Sequence, residues 1–183
     1  MVLCDLPYGT TQNKWDSVIP FEPLWKEYWR VCKQDAAVVL TAQTPFDKVL
    51  GASQITSLKY EWLWSKRLAT GHLNAKKQPM KAHENVLVFY RSQPTYNAQM
   101  TRGKPYVVTS GRKSSNYGSQ VEVVTDNKGD RYPRSIIEFD HDRNSRIHPT
   151  QKPVALFEYL IRTYTNEGEH VLDNTAGSGT TAI

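Results

Sequence analysis

The stretch Val2-Leu3-Cys4-Asp5-Leu6-Pro7-Tyr8 decides how the chain folds, because it joins a buried strand to a polar turn. Its first three residues form a continuous apolar run, which is typical of a parallel strand covered on both faces. A carboxylate follows directly, and Pro7 then stiffens the turn. Since ligands of open α/β sheets bind outside the carboxyl ends of strands, the stretch predicts a binding site at Asp5.

The groups in this turn suit a base that carries an exocyclic amino group. Asp5 can accept one amino hydrogen, and the carbonyl of Leu6 can accept the other. Tyr8 offers a flat face on which a base can stack. An ordinary Asp-Pro turn beside a core tyrosine is the alternative interpretation of the same residues.

Further along the chain, predicted strands alternate with predicted helices. Apolar residues at helical spacing predict helices over 21–32, 45–57 and 153–164. Apolar or β-branched runs predict strands over 36–40, 58–65, 85–90 and 170–172. This alternation favours an α/β domain with a mainly parallel sheet. Residues 91–147 are rich in Gly, Ser, Asn and basic residues, which predicts a loop-rich insert outside that sheet.

The positive charge is concentrated in the middle of the sequence. The net charge of the 183 residues is +5, whereas residues 66–113 hold ten Lys or Arg and one acid, Glu84. This segment therefore carries +9 and the remainder −4. A polyanion such as nucleic acid accounts for the concentration, and a solvated basic surface is the alternative.

Composition excludes several classes of protein. The longest apolar runs fall far short of the roughly 20 residues of a membrane span, and the acidic start does not resemble a signal peptide. Cys4 and Cys32 are too few for a disulfide framework or a zinc cluster. Two buried thiols in a reducing cytoplasm, with no metal, are therefore expected.

Two more motifs lie near the carboxyl end. Asp173-Asn174-Thr175-Ala176-Gly177-Ser178-Gly179-Thr180-Thr181 is a glycine-rich turn between a predicted strand and a helix, where a backbone can approach a ligand closely. It lacks the lysine of a phosphate-binding P-loop and the glycine spacing of a dinucleotide site. His148-Pro149-Thr150-Gln151-Lys152-Pro153 opens a helix. Taken separately, a plain glycine turn and a proline-started helix explain them equally well.

Taken together and in this order, the three motifs closely resemble the β class of DNA amino-methyltransferases. In that family an Asp-Pro-Pro-Tyr motif comes first, a target-recognition region follows, and a His-Pro-x-x-Lys-Pro motif leads into the glycine-rich cofactor loop. The resemblance implies a Rossmann-like methyltransferase sheet with a circularly permuted motif order. It further implies a catalytic half at residues 1–91, a target-recognition insert at 92–146, and the start of the cofactor-binding half at 147–183.

The resemblance also implies a role for individual residues. The catalytic residues, which would grip the flipped base, are Asp5, Leu6, Pro7 and Tyr8. The residues expected to bind S-adenosyl-L-methionine are Thr150, Lys152, Asp173, Gly177 and Gly179. Among them, Lys152 is a candidate partner for the cofactor carboxylate. Two positions depart from the family pattern: Leu6 replaces a common proline, and Asn174-Thr175 replaces a common Pro-Phe, so an aromatic contact at Thr175 is lost.

By the same resemblance, the expected reaction is transfer of a methyl group to N6 of adenine in double-stranded DNA. Aspartate at the first catalytic position favours adenine, since serine is commoner in the branch that methylates N4 of cytosine. Cytosine methylation is therefore one alternative. A prophage-type remnant that binds DNA without catalysis is the other. A homodimer and a companion restriction enzyme are compatible with this family.

The ends of the chain carry one more expectation from the resemblance. The family continues past the glycine loop with a helix, a strand and an acidic residue that holds the ribose hydroxyls, whereas this chain ends at Ile183. Met1 likewise falls inside the strand that carries Asp5. Residues 1–183 alone are therefore expected to bind S-adenosylmethionine weakly and to regain affinity on extension, which calorimetric titration would measure.

Overall fold

A mixed β-sheet with helices on both faces is the framework of the larger of two units. The computed structural model describes residues 1–110, 113–114, 118–119, 122–141 and 151–183. The larger unit comprises residues 1–97 and 134–183, and the smaller comprises residues 98–133. Thr150, predicted to bind the cofactor, lies outside the described residues.

The elements follow one another in a regular order along the chain. They are β1 (Val2–Asp5), α1 (Phe21–Val31), β2 (Val38–Ala42), α2 (Phe46–Ser53), β3 (Leu58–Thr70), β4 (Lys81–Phe89), β5 (Thr101–Arg102), β6 (Tyr106–Ser110), β7 (Lys113–Ser114), β8 (Gly118–Ser119), β9 (Val123–Asn127), β10 (Asp130–Arg131), β11 (Ile136–Glu138) and α3 (Val154–Tyr164), with 3-10 turns at His72–Asn74 and Thr180–Ala182. No helix in the described ranges is both long and apolar enough to cross a membrane.

The sheet of the larger unit has the strand order β1-β2-β4-β3-β11. β1 is parallel to β2 and β11 is parallel to β3, whereas β4 is antiparallel to both of its neighbours. The predicted α/β class is confirmed, and four of the five strands of this sheet run in the same direction, with β4 as the exception. The reason is the short connection between β3 and β4: it reverses the chain directly, whereas a parallel neighbour requires a crossover of about a dozen residues or more.

The prediction that residues 91–147 lie outside the main sheet is wrong at one point. Residues 136–138 form β11 at the sheet edge, where Leu63 donates its N–H to the carbonyl of Ser135 at 2.7 Å and Ile137 is buried. Three residues are too few to show a strand period, so only the packing around Ile137 identifies this strand.

The strand predicted at 170–172 is reduced to a single bridge between Leu172 and Val2. Leu172 donates to the carbonyl of Met1 and accepts from the N–H of Leu3, both at 3.0 Å. Directly afterwards the carboxylate of Asp173 accepts the N–H of Thr175 at 2.9 Å. This side-chain turn draws the backbone away from β1, so pairing cannot continue.

The hydrophobic core lies on both faces of the sheet. On one face Leu24 and Trp25 of α1 and Leu50 of α2 pack against the sheet, and on the other Leu156 and Leu160 of α3 do so. Alternate strand residues point to opposite faces, so β1 and β2 contribute to both layers. Both core layers hold β1 in place, and the carboxyl end of β1 is therefore a fixed position for a functional group.

The two cysteines differ in environment. Cys4 is buried, and burial raises the pKa of its thiol to about 12, so the group is uncharged at neutral pH. Cys32 is only partly buried, in contrast to the expectation that both would be enclosed. Its position just after the end of α1 explains the difference, because a helix end is open to water on one side.

The smaller unit consists of short antiparallel strand pairs. β5 pairs with β10, β6 with β9 and β7 with β8. This unit, residues 98–133, falls within the predicted target-recognition region of residues 92–146. The boundaries of that region stay a prediction.

Candidate active site

The site is built around the carboxyl end of β1. Asp5 is the last residue of this strand and pairs in register with Thr41 of the parallel strand β2. The preceding residues Val2, Leu3 and Cys4 are fully enclosed. Their burial fixes the strand, and the side chain of Asp5 therefore projects at the sheet edge where α/β proteins bind ligands.

Three donors converge on a single oxygen of Asp5. Oδ1 accepts the hydroxyl of Thr41 at 2.5 Å and the hydroxyl of Tyr8 at 2.8 Å, and it lies 2.9 Å from Nζ of Lys152. Among the contacts of the described residues none falls on Oδ2, and the side chain is 24% exposed. The carboxylate is therefore held by one oxygen and presents the other as a free acceptor.

Lys152 belongs to a chain of alternating buried charges. Its Nζ lies 2.9 Å from Asp5 and 3.1 Å from Oε2 of Glu84, and the other oxygen of Glu84 lies 2.6 Å from Nζ of Lys66. The side chains of Lys66, Glu84 and Lys152 are 3%, 10% and 8% exposed. Two positive and two negative groups alternate. This set of four groups is therefore neutral, and each charge has an opposite neighbour.

The pKa values of Lys152 and Glu84 are both shifted toward the charged form. Burial alone would lower the pKa of Lys152, but Tyr8, Asp5 and Glu84 together raise it well above its ordinary value. Burial alone would raise the pKa of Glu84, but Lys152 and Lys66 lower it below 4.5. Both groups are therefore charged at neutral pH, and Lys152 keeps its proton beside Asp5.

Replacing Glu84 with glutamine is expected to change how stability depends on pH. The lowered pKa of Glu84 stabilises the folded state above the ordinary value of 4.5, and this contribution is lost as pH falls through the folded-state pKa. The difference in free energy of unfolding between the wild type and Glu84→Gln should therefore be constant at neutral pH and shrink in acid. Urea unfolding between about pH 7 and about pH 3 measures it. If the free energies of unfolding of the two proteins differed by the same amount at every pH, the pKa of Glu84 would not be lowered in the folded state.

Tyr8 combines a stacked ring with an engaged hydroxyl. Its ring stacks on Phe46 with 5.0 Å between centroids and 23° between planes, and Nζ of Lys152 lies 5.3 Å from its centroid. Burial, the largest influence, raises the pKa of Tyr8 well above 10, so the hydroxyl stays protonated and donates to Asp5. The aromatic side chain thus also orients the carboxylate.

The loop after Tyr8 is closed by Asp16. The carboxylate of Asp16 accepts the backbone N–H groups of Gly9, Thr10 and Thr11 at 2.8, 2.9 and 2.7 Å. Burial alone would raise the pKa of Asp16, but these donors lower it. Gly9 has φ +68°, and a Cβ there would come within 2.9 Å of Val18. The loop therefore requires glycine at this position and a charged Asp16.

The glycine-rich turn begins directly beside β1. Asp173 accepts the hydroxyl of Thr181 at 2.5 Å in addition to the N–H of Thr175, and Asn174 accepts the hydroxyl of Tyr28 at 2.7 Å. Gly177 and Gly179 both have positive φ, +52° and +76°, with little or nothing within 4 Å of the position that a Cβ would occupy. Backbone conformation, not crowding, is what favours glycine at these two positions.

Two cavities meet at Asp5. One, of about 300 Å³, lies against the glycine-rich turn, and the other, of about 340 Å³, lies against Tyr8 and the outer part of β3. Their shared lining residues are Asp5, Pro7, Trp15, Gln151 and Lys152. The first cavity also includes Asp173, Thr175, Ala176, Gly177, Ser178 and Thr180, and the second includes Leu6, Tyr8, Lys66 and Glu84. Asp5 therefore stands between two spaces, each of which can take part of a ligand.

The structure brings together most residues that the sequence singled out. Of the predicted site residues, those that line one or both cavities are Asp5, Leu6, Pro7, Tyr8, Lys152, Asp173 and Gly177. Gly179 shapes the same turn without lining either cavity. Lys152 contacts two carboxylates, a surrounding that the motif alone did not indicate.

Sequence analysis missed the part that Glu84 and Lys66 play in this site. A signal for Glu84 was available, since it is the single acid within the basic segment 66–113. An acid beside the apolar residues of a predicted strand is almost never buried unless it is paired with a cation. No comparable signal marks Lys66. Among the described residues, no cluster of three His, Cys, Asp or Glu side chains is placed to hold a metal ion.

A candidate ligand site at the carboxyl end of β1, in a mixed α/β sheet, defines the general class of this protein. Within that class, the chain belongs to the N6_N4_Mtase family, described as DNA methylase, because the family profile matches residues 1–183. The residues that resembled a DNA amino-methyltransferase are thus part of a family-wide match, and the predicted family is confirmed.

Several characterised proteins are similar to the chain. Type II methyltransferase M1.MboII of Moraxella bovis is 27% identical over 211 residues, covering 100% of this chain and 78% of that protein. DNA adenine methyltransferase YhdJ of Escherichia coli (strain K12) is 27% identical over 204 residues, covering 99% and 66%. Type II methyltransferase M.HpaI of Haemophilus parainfluenzae is 48% identical over 52 residues, only 26% and 17% of the two chains. The chain thus spans two thirds or less of some of these relatives.

Solved structures agree on the fold. The M1.HpyAVI–SAM complex aligns with a TM-score of 0.60 at 20% identity, covering 98% of this chain and 74% of that one. A second structure of M1.HpyAVI aligns with a TM-score of 0.58 at 16% identity, covering 99% and 71%. The predicted methyltransferase-type α/β fold is therefore confirmed.

Proposed function

We propose that the full-length protein transfers a methyl group from S-adenosylmethionine to N6 of adenine in double-stranded DNA. The observation that carries the proposal is the carboxylate of Asp5, held at Oδ1 by three donors and open at Oδ2 between two cavities. Family membership supports methyl transfer, and the similarity to a DNA adenine methyltransferase supports adenine.

The cavity at the glycine-rich turn suits the amino-acid end of the cofactor. Asp173, Ser178 and Thr180 supply polar groups there, and the backbone at Gly177 is open to a ligand. S-adenosylmethionine supplies, when bound, an electrophilic methyl group on a positively charged sulfur. We assign Asp173, Gly177 and Gly179 to this cofactor, and Thr150 is carried over from the family resemblance alone.

The cavity beside Tyr8 suits the target base. A base inside a duplex is out of reach, so it must leave the stack to enter this space. Oδ2 of Asp5 accepts one amino hydrogen and the Leu6 carbonyl accepts the other, which localises the nitrogen lone pair that the aromatic ring otherwise withdraws. Tyr8 supports the base by its ring, while Pro7 keeps the Leu6 carbonyl in place.

Methyl transfer then requires no covalent bond to the protein. The amino nitrogen forms a bond to the methyl carbon while the carbon–sulfur bond breaks, and that electron pair remains on sulfur. The nitrogen becomes positively charged, and Asp5 stabilises this charge until the extra proton passes to water. Lys152 contacts Oδ1 of Asp5 and is itself held by Glu84, so the carboxylate is already oriented when the reaction begins.

Substitutions of Tyr8 should separate the ring from the hydroxyl. Tyr8→Ala removes both and should lower turnover by about 10²-fold or more, since stacking alone is worth about 1–3 kcal/mol per base. Tyr8→Phe keeps the ring but leaves Oδ1 of Asp5 with one donor fewer, so a loss of about 10-fold is expected. Radiolabelled methyl incorporation into DNA measures both. Equal losses in the two variants would mean that the ring contributes nothing beyond its hydroxyl.

Sequencing with modified-base detection tests the proposed reaction directly. DNA from cells that express the full-length protein should carry N6-methyladenine within a defined sequence. N4-methylcytosine would instead assign the protein to the other target base, because cytosine presents an equivalent amino group. Unmodified DNA together with retained DNA binding would identify a non-catalytic protein.

A further inference from the structure

The β3–β4 hairpin extends beyond the sheet and ends in a structured tip. We call residues 71–80, which connect the two strands, the hairpin tip; all ten are exposed. The carbonyl of Gly71 accepts the N–H of Asn74 at 3.0 Å, and the carbonyl of Asn74 accepts the N–H of Lys77 at 2.8 Å. Two successive turns thus give the tip a defined shape. Neither the catalytic groups nor the core explains why it projects.

The hairpin carries apolar side chains where water would normally favour polar ones. Leu73 in the tip is 88% exposed, and Met80 and Leu68 are 41% and 48% exposed. Three exposed large aliphatic residues on one hairpin indicate an interaction site. Leu73 is the outermost of the three, in the 3-10 turn His72–Asn74.

The surroundings of Leu73 are positively charged. Residues 66–83 contain five Lys or Arg and no Asp or Glu. Lys66 is neutralised in the interior by Glu84, and Lys81 is half-buried with its ammonium donating to Gln43. Arg67, Lys76 and Lys77 remain exposed on the outer part of the hairpin. Arg67 has an exposed partner in Asp140 at 3.0 Å, a solvated pair that contributes little. The partner of this surface should therefore be a polyanion.

The same hairpin forms a wall of the cavity assigned to the target base. Leu68, Ala69 and Thr70 line that cavity together with Leu6 and Tyr8. Leu73 follows Thr70 by three residues, so it lies within about 11 Å along the chain from the cavity wall. A duplex whose base occupies this cavity must therefore pass next to the tip.

We propose that the hairpin tip enters the duplex beside the target base, with Leu73 filling the gap that the flipped base leaves. Proteins that distort DNA insert apolar residues such as leucine between base steps, and basic neighbours hold the flanking phosphates. Lys76 and Lys77 supply these phosphate contacts. The proposal rests on the proposed function, because the cavity beside Tyr8 is taken to hold the flipped base.

The test uses two duplexes of the same arbitrary sequence, one intact and one with a single central abasic site. The abasic duplex already contains the gap, so the full-length wild-type protein should bind it about ten-fold more tightly than the intact duplex. Leu73→Ala should bind both with equal affinity. Since the side chain of Leu73 is almost fully exposed, its truncation should leave the thermal unfolding temperature unchanged.

Two control variants make the result specific. Ile55→Ala removes an exposed aliphatic residue, 65% exposed, near the opposite end of β3, and should retain the wild-type preference for the abasic duplex. A double change of Lys76 and Lys77 to alanine should weaken binding to both duplexes equally and flatten its dependence on salt.

Each outcome decides the proposal. A wild-type protein without preference for the abasic duplex, or a Leu73→Ala variant that keeps it, would overturn the insertion of Leu73. Abasic preference in a wild-type protein that methylates no DNA would leave the insertion standing and remove the proposed reaction. Absence of DNA binding by the wild type would overturn both.

Discussion

Replacing Asp5 with alanine is expected to lower the turnover number for methyl transfer by about 10³-fold in the full-length protein. The change removes the free acceptor Oδ2 together with the carboxylate that, in the proposed reaction, faces the amino nitrogen of the base. Affinity for S-adenosylmethionine should stay within about three-fold of wild type, because the glycine-rich turn is built on other residues. Single-turnover methylation and calorimetric titration of the cofactor measure the two quantities.

An isosteric variant and a matched control sharpen this result. Asp5→Asn keeps the size of the side chain but not its charge, so it should be impaired nearly as strongly as Asp5→Ala. Asp35→Ala removes an exposed aspartate just before β2 and should behave as the wild type. Near-normal turnover by Asp5→Ala would remove Asp5 from the mechanism.

Replacing Lys152 with methionine should be costly for both stability and turnover. Methionine preserves the length of the side chain, but Asp5 and Glu84 lose the cation that separates them. Removing one partner from a buried ion pair costs about 3–5 kcal/mol in free energy of unfolding, since it leaves a charge uncompensated. Turnover should fall as well, because Oδ1 of Asp5 loses its only charged donor among the described contacts.

Arg162 provides the matched control for Lys152. It pairs with Glu158 on the surface of α3 at 2.8 Å, and the two side chains are 67% and 55% exposed. Arg162→Met should therefore cost less than about 0.5 kcal/mol. Urea unfolding of both variants measures the difference in free energy of unfolding. Equal losses would contradict a stabilising role for the buried ion pairs of Lys152.

Urea unfolding of Lys152→Met, together with calorimetric titration of S-adenosylmethionine, separates two roles for Lys152. As a partner of the cofactor carboxylate, which the family resemblance suggests, its loss would weaken S-adenosylmethionine binding and leave stability close to wild type. As a positioning residue for Asp5, its loss lowers stability and turnover first. The contacts at 2.9 and 3.1 Å favour the second role.

Local sequence patterns were sufficient for the main elements but less so for their ends and connections. The apolar run before Asp5 and the helical spacing in α1 and α3 matched the observed elements. β3 and β4 proved longer than predicted, and α2 ended at Ser53. Periodicity reports which face of an element is buried, and an exposed hairpin has no buried face to report.

The candidate site shows the same division. Asp5, Tyr8 and the glycine-rich turn were recognisable because each depends on neighbours in the sequence: a strand end, a proline turn, or a positive φ. Glu84 and Lys152 are 68 positions apart, and their contact follows from the sheet order and the placement of α3. No local pattern encodes such a pairing.

Contiguous residues are enough to identify the family, the strand end that carries Asp5 and the glycine-rich turn, because each of these is a local motif. The free oxygen of Asp5, the groups that hold its other oxygen, and the position of Leu68, Ala69 and Thr70 at the cavity are visible only in the folded arrangement. Those properties depend on residues that are distant in the chain and on the free energy of burying them together. A buried charge is stable only beside an opposite charge. Burial of Lys152 therefore requires carboxylates beside it, and the fold supplies them from distant parts of the chain.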